Sequence, residues 1–411
     1  MRLDLLLKRE DFAKIFERSF TRYLLDVFNI TAIVNWRYST KNSDCFLVNH
    51  KLNVIYSKNI DRVKFKSVIS EYSYHPNPFR HVLQKIYIQL STSAYFERLF
   101  VKTRVDVKPW IQSLDGVCII PGNHSIRIID LEAETCRVIL KEGFNFQFIK
   151  SEIYLRQKYK FLPIPKLLNV DTQSLWYEES QVSALPLNRI DNQAIKDKIL
   201  FDVKKNLLNL YSSTIIKVDM INYVKSLCLI CDNLIIELPN IYTKSDKKEL
   251  RNVFALLNEV LIEFPDRVIE LVQSHGDLQP ANILVGNADN ELYLIDWEYT
   301  EKRSLFYDSL VFASKCRFPN GLAKRIETIL DGADLSWNWC IKTDGFKLSK
   351  CELAIFLIED LIVRLSELNI PNLINKDNGL DLWMKEVKKM DWLIHKKTLG
   401  FNQTVSAYKQ V

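Results

Sequence analysis

No stretch of the 411 residues approaches the ~18 consecutive apolar positions that a membrane-spanning helix needs, so no transmembrane segment is expected. The cysteines have no framework spacing. Cys45, Cys118, Cys136, Cys228, Cys231, Cys316, Cys340 and Cys351 are scattered through apolar stretches, as buried free thiols are and disulfide scaffolds are not. Cys228-Leu229-Ile230-Cys231 has the spacing of half a zinc site, but no second pair and no histidine lies near it in sequence, so packing is its expected use. The start, Met1-Arg2-Leu3-Asp4, meets charge at once and lacks the apolar core of a secretory signal, which makes the cytoplasm the expected location. Dense charge clusters are also missing. Residues 1–110 hold 19 Lys and Arg against 10 Asp and Glu, a net of +9, whereas residues 111–411, with 37 against 40, net −3. Because the basic residues are dispersed, a solvated face is the expected reading and no nucleic-acid partner is expected.

What is present is an ordinary globular balance, 47% hydrophobic and 26% charged, in a chain long enough for two or three domains. One stretch carries chemistry. It runs Ser274-His275-Gly276-Asp277-Leu278-Gln279-Pro280-Ala281-Asn282-Ile283-Leu284-Val285-Gly286, and resumes as Leu292-Tyr293-Leu294-Ile295-Asp296-Trp297-Glu298. Ile283-Leu284-Val285 and Leu292-Tyr293-Leu294-Ile295 are β-prone runs separated by turn residues, which predicts a hairpin. A hairpin brings its outer ends together, so Asn282 and Asp296 arrive side by side as two hard oxygen donors. Such a pair suits Mg²⁺, which keeps waters and takes one or two protein oxygens plus substrate phosphates. Asp277, on the loop leading into Asn282, is then placed to accept a proton from an incoming hydroxyl.

This order of His-x-Asp, Asn and hairpin Asp resembles the catalytic and metal-binding segments of the protein-kinase-like fold. Its wording, His-Gly-Asp-Leu-Gln-Pro-Ala-Asn-Ile-Leu and then Ile-Asp-Trp-Glu, is similar to that of the aminoglycoside phosphotransferase and choline kinase family. The resemblance implies an α+β, two-lobed fold: a small β-rich lobe over about 111–188 and a large helical lobe over 189–411, with the catalytic loop and hairpin at 275–298. Residues 1–110 would then be an extra mixed α/β segment of open role. It further implies ATP with Mg²⁺, Asp277 as the base, His275 as a brace of the loop, and Asn282 and Asp296 as metal ligands. Lys141, ending the strand Cys136–Lys141, would hold the ATP phosphates, with Glu152 on the following helix as its partner.

Only Gly122 stands where protein kinases have a glycine-rich cradle, which favours the small-molecule branch. His124, in the same turn, reads as an exposed residue or a ligand contact. Tyr307-Asp308-Ser309-Leu310 resembles the helix start that follows the metal Asp in that branch, with Asp308 as an anchor that caps the helix and bonds the catalytic loop. Glu298 faces either the acceptor pocket or solvent. Ser349-Lys350-Cys351-Glu352 is a capping box that opens an apolar helix to about Leu368, and residues 382–393 form another helix. The expected activity is transfer of the γ-phosphoryl group of ATP to a hydroxyl of a small molecule, a sugar or sugar derivative before an aminoglycoside or choline. The competing readings are a nucleotide-binding scaffold and a protein kinase. Oligomeric state cannot be read from the sequence.

Overall fold

The structure, a computed structural model, describes residues 3–38, 44–69, 77–93, 95–101, 103–264, 266–331, 348–370, 373–376 and 378–390. Cys340 and the end of the helix expected through Leu393 lie outside them.

The N-terminal part contains helices α1 (Leu3–Arg9), α2 (Phe12–Phe28), α3 (Arg62–Ile69), α4 (Pro78–Ser91) and α5 (Glu97–Phe100), with strands β1 (Ile33–Tyr38), β2 (Cys45–Asn49), β3 (Val54–Ser57) and β4 (Thr103–Lys108). It is followed by β5 (Val117–Pro121), β6 (Ser125–Asp130), β7 (Thr135–Leu140), α6 (Gln147–Lys158), β8 (Leu167–Asp171) and β9 (Trp176–Ser180). All nine strands form one antiparallel sheet in the order β1-β4-β2-β3-β5-β6-β7-β9-β8. The join between the two parts is a strand pairing, Ile55 with Ile119 and Tyr56 with Cys118. Residues 1–110 therefore extend the β-rich lobe itself.

Both faces of this sheet are covered, so its strands alternate between two apolar sets. α1 and α2 bury Phe12, Phe16 and Phe20 against Phe46, Ile55, Val105 and Ile126 on one face. α3 and α6 bury Phe65, Ile149 and Ile153 against Leu47, Tyr56 and Val138 on the other. α2 follows from its pattern: Phe12, Phe16 and Phe20 recur every four residues, the Phe16 ring tilted against Phe12 and stacked on Phe20, and Asn29 closes the helix in the left-handed region.

The second lobe holds β10 (Ala184–Pro186), α7 (Gln193–Thr214), β11 (Ile216–Asp219), α8 (Met220–Glu237), α9 (Lys244–Ile262), β12 (Val268–Ser274), β13 (Ile283–Gly286), β14 (Leu292–Leu294), β15 (Glu301–Ser304), α10 (Tyr307–Ser314), α11 (Leu322–Leu330), α12 (Lys350–Leu368) and α13 (Asn378–Lys388). α12 is the expected apolar helix. It opens on the reciprocal bonds between Ser349 and Glu352 and runs through the core between α8, α9 and α10. The lobe expected to be helical over 189–411 also holds a small sheet, β11-β12-β15, whose strands are short and partly charged. Among the described residues no helix is long and apolar enough to cross a membrane.

Candidate active site

The loop of residues 275–282 hangs between β12 and β13 and is fixed at both ends. Gly276 has φ of +88°, and a Cβ there would collide with the Tyr299 carbonyl oxygen, so a side chain has no room. Asp308, at the start of α10, accepts from His275 N at 2.7 Å and from Gly276 N at 2.9 Å, while Tyr211 Oη donates to it at 2.8 Å. Asp308 thus binds the loop as expected, but it does not cap its helix, whose first turn has no side-chain cap bond. His275 Nδ1 accepts from Asp277 N at 3.3 Å and Nε2 lies 3.0 Å from Ile295 O, so the proton sits on Nε2. Both ring nitrogens bond backbone, which ties loop to hairpin.

The Asp277 carboxylate is oriented from three sides. Gln279 Nε2 lies 2.8 Å from each oxygen, Asn282 Nδ2 lies 3.2 Å from Oδ2, and Arg317 Nε lies 2.6 Å from Oδ1. Arg317 also donates to Gly276 O at 3.0 Å, and its Nη1 is buried without a hydrogen-bond partner, 3.7 Å from Asp360 and 3.6 Å from Glu367.

β13 and β14 pair as the expected hairpin, Ile283 opposite Leu294, and Ile295 N donates to Asn282 O at 3.0 Å. Asn282 and Asp296 therefore flank the same hairpin end. Arg127, on β6, forks between Glu179 at 3.1 Å and Asp296 Oδ1 at 3.0 Å. Packing around Asp296 works to raise its pKa although 40% of the side chain stays open; the Arg127 guanidinium outweighs this and holds the carboxyl below its ordinary value. An ionised carboxylate at the hairpin end is the kind of hard oxygen donor a hard cation takes, although Arg127 holds its Oδ1. Among the described residues no group of three or more His, Cys, Asp or Glu is arranged to hold a metal, so an ion at the hairpin end would draw further oxygens from its ligand.

Between the sheet and the hairpin lies a cleft of about 260 Å³. Ile120, Ile129 and Cys136 line it from the sheet, Leu284 and Ile295 from the hairpin, and the linker from Glu179 to Ala184 closes one side. A cavity of about 280 Å³ at Lys217, Arg267, Glu270 and Glu352 shares none of these side chains.

Lys141 follows β7, but its expected partner is elsewhere. Glu152 is turned away to Arg156, 2.9 Å from Nη2, and to Tyr177 Oη at 2.8 Å, because these groups fill the buried side of α6. Lys141 Nζ instead lies 2.5 Å from Glu10 Oε1, with both side chains fully buried. Glu10 reaches it because α2 crosses the end of β7: Arg22 donates to Leu140 O at 2.6 Å, and Glu142 N donates to Ser19 Oγ at 2.9 Å. Arg9 holds the second Glu10 oxygen at 2.8 Å, and Phe144 covers the ammonium with its ring centroid 4.5 Å away. Burial lowers the Lys141 pKa to about 8 against the pull of Glu10.

His124 is not the exposed turn residue that the sequence allowed; it stacks on Phe148 at 4.0 Å, its Nδ1 is 3.1 Å from Glu298 Oε1, and burial lowers its pKa to about 3. Glu298 accordingly faces inward, and burial together with the neighbouring carboxylates of Asp296, Glu152 and Asp277 pushes its pKa well above the ordinary value. Glu10, Arg127 and Arg317 were not found from sequence; none lies in a motif, and each meets its partner only through the fold.

Neither a family model nor a curated protein matches the chain. Solved structures similar to it include a choline kinase from Streptococcus pneumoniae, 18% identical with a TM-score of 0.44, over 66% of this chain and 90% of that one. A choline/ethanolamine kinase family protein from Mesorhizobium loti is 12% identical with a TM-score of 0.40, over 77% and 95%. An aminoglycoside phosphotransferase from Streptomyces rimosus is 12% identical with a TM-score of 0.39, over 62% and 92%. At these values the likenesses concern architecture and carry no weight for substrate.

Proposed function

We propose that the protein is an ATP-dependent phosphotransferase acting on a hydroxyl of a small molecule. The observation that carries the reading is the Asp277 carboxylate, held by Gln279, Asn282 and Arg317 at the mouth of a hairpin whose end bears Asn282 and Asp296. Asp277 orients the acceptor hydroxyl and accepts its proton, while the fixed His275 and Asp308 bonds keep the loop from shifting during transfer. Asn282 and Asp296 would hold Mg²⁺, which when bound supplies positive charge to the nucleotide phosphates. The apolar walls at Ile120, Ile129 and Leu284 suit a nucleobase, and Lys141 provides a cation for the phosphates when they compete with Glu10 for it.

The acceptor reading is a neutral polyol, a sugar or sugar derivative, before an aminoglycoside or an amino alcohol. Charges near Asp277 cancel in pairs, Asp277 with Arg317 and Asp360 with Arg364, the latter at 2.8 Å. Glu298 and Glu367 are pushed toward their neutral forms by burial, so little uncompensated negative charge is left to attract a polycation.

The test is ADP release by purified protein with ATP and Mg²⁺ across sugars, amino alcohols, aminoglycosides and a generic protein, with Asp277→Asn as the control. Acceptor-dependent release that drops by about 10²-fold or more in the variant is the expected result. Undiminished turnover by the variant would overturn the role of Asp277. Nucleotide-induced stabilisation with no acceptor-dependent release would favour the scaffold reading.

A further inference from the structure

α4 presents its apolar side outward. At about 100° per residue, Phe79, Val82, Leu83, Ile86 and Leu90 share one stripe, and each is between 37% and 71% exposed. The opposite side, through Ile88, Ser91 and the following Thr92, is buried against the protein. The helix is firmly set: the Asn77 side chain accepts from Phe79 N and Arg80 N, Pro78 occupies the first turn, and Tyr87 Oη donates to Asn49 Oδ1 at 3.2 Å.

Charge identifies what would cover the stripe. On the same wheel Arg80 falls about 100° to one side of it and Lys85 about 120° to the other, so cations border the apolar face on both flanks. No Asp or Glu occurs between Glu71 and Glu97, within a segment of net charge +9. A second copy meeting this face through a two-fold axis would set Arg80 and Lys85 against their own counterparts, an arrangement of like charges. An anionic bilayer complements both features at once: apolar side chains enter the headgroup boundary, and the Arg and Lys heads reach up to the lipid phosphates.

We propose that α4 docks the protein peripherally onto an anionic lipid surface. The proposal goes beyond the phosphotransferase reading and does not depend on it. The test is cosedimentation of the full chain with phosphatidylcholine vesicles, alone or with one third phosphatidylglycerol. Partition at least about tenfold stronger onto the anionic vesicles, and weakened by high salt, is expected. Leu83→Asp with Ile86→Asp should abolish it, and Arg80→Gln with Lys85→Gln should weaken it by about tenfold or more. All four positions are exposed or half-exposed, and an unchanged circular dichroism melt shows that each variant is folded; the charge pair keeps the test decisive if the double aspartate is not. No binding to anionic vesicles, equal binding to both kinds, or binding indifferent to both variants would overturn the proposal. It would also be overturned by a dimer in light scattering that the double aspartate returns to monomer without any vesicle binding, which would make the stripe an interface between copies.

Discussion

Replacing Glu10 by Gln keeps the shape of the side chain and removes its charge from a fully buried pair with Lys141. Stranding a buried partner as an unpaired ion costs about 3–5 kcal/mol. Lys141 has a cheaper outcome. With its pKa already lowered to about 8, giving up the proton at pH 7 costs about 1.4 kcal/mol, so the lysine goes neutral instead of remaining an unpaired ion. Weakening the bond that Arg9 makes to the second Glu10 oxygen adds about 1 kcal/mol. The expected loss is therefore roughly 2–3 kcal/mol in urea unfolding. Lys141→Met removes the other partner, and in a double-mutant cycle the two changes should couple by at least about 1.5 kcal/mol. Nucleotide provides a second readout. On the proposed reading Glu10 and the ATP phosphates would compete for Lys141, so ATP should raise the melting temperature of Glu10→Gln by more than it raises that of the unaltered protein. Additive single changes would refute the stability reasoning. A smaller ATP effect in Glu10→Gln would refute the competition and make Glu10 a support that holds the lysine ready for phosphate.

If Lys141 holds the ATP phosphates as proposed, its lowered pKa also predicts that ATP affinity weakens as pH rises through about 8, because the free protein loses that proton; calorimetric titrations at pH 7 and 9 check this, and a flat profile rules it out. For His124 the folded pKa of about 3 lies below the ordinary 6.5, so between those values the unfolded chain binds a proton that the folded one does not. Its contribution to stability is therefore fully present above pH 6.5 and is lost as pH falls toward 3, and His124→Phe should flatten that part of the pH dependence in urea titrations. Gly276→Ala should cost about 2–4 kcal/mol or prevent folding, since the added methyl meets the Tyr299 carbonyl and φ is positive; a melt within a degree of the parent would show that the loop adapts.

What could be read from sequence is what is local. The hairpin, its two flanking oxygens and the loop carrying Asp277 lie within one short stretch, and turn residues with β-prone runs specify their arrangement without help from the rest of the chain. The capping box at Ser349 is legible for the same reason. The partners of those residues are not. Arg317 meets Asp277 across 40 positions, Glu10 meets Lys141 across 131 and Arg127 meets Asp296 across 169, and no periodicity encodes such pairings. Glu152 is near Lys141 in sequence and on the following helix, but Arg156, one turn further on, reaches the same carboxylate at lower chain cost.

The N-terminal segment shows the same effect at the scale of a lobe. Residues 1–110 hold no motif and read from sequence as an extra mixed α/β segment, yet β3 pairs directly with β5, and α1 and α2 cover the sheet face that carries Ile119, Ile126, Ile128 and Ile139. Without them that face would stand in water and β5 would become an open edge, both unfavourable for a sheet built of apolar strands. The contacts reach the other lobe as well: Arg9 O accepts from Ile374 N at 2.6 Å and Lys8 O accepts from Asn375 Nδ2 at 2.5 Å. One short stretch, Lys8-Arg9-Glu10, thus touches Lys141, the Asn123 turn at 3.4 Å and the chain beyond α12. A segment so placed cannot change its position without changing the surroundings of the lysine, which makes the N-terminal helices part of the candidate active site.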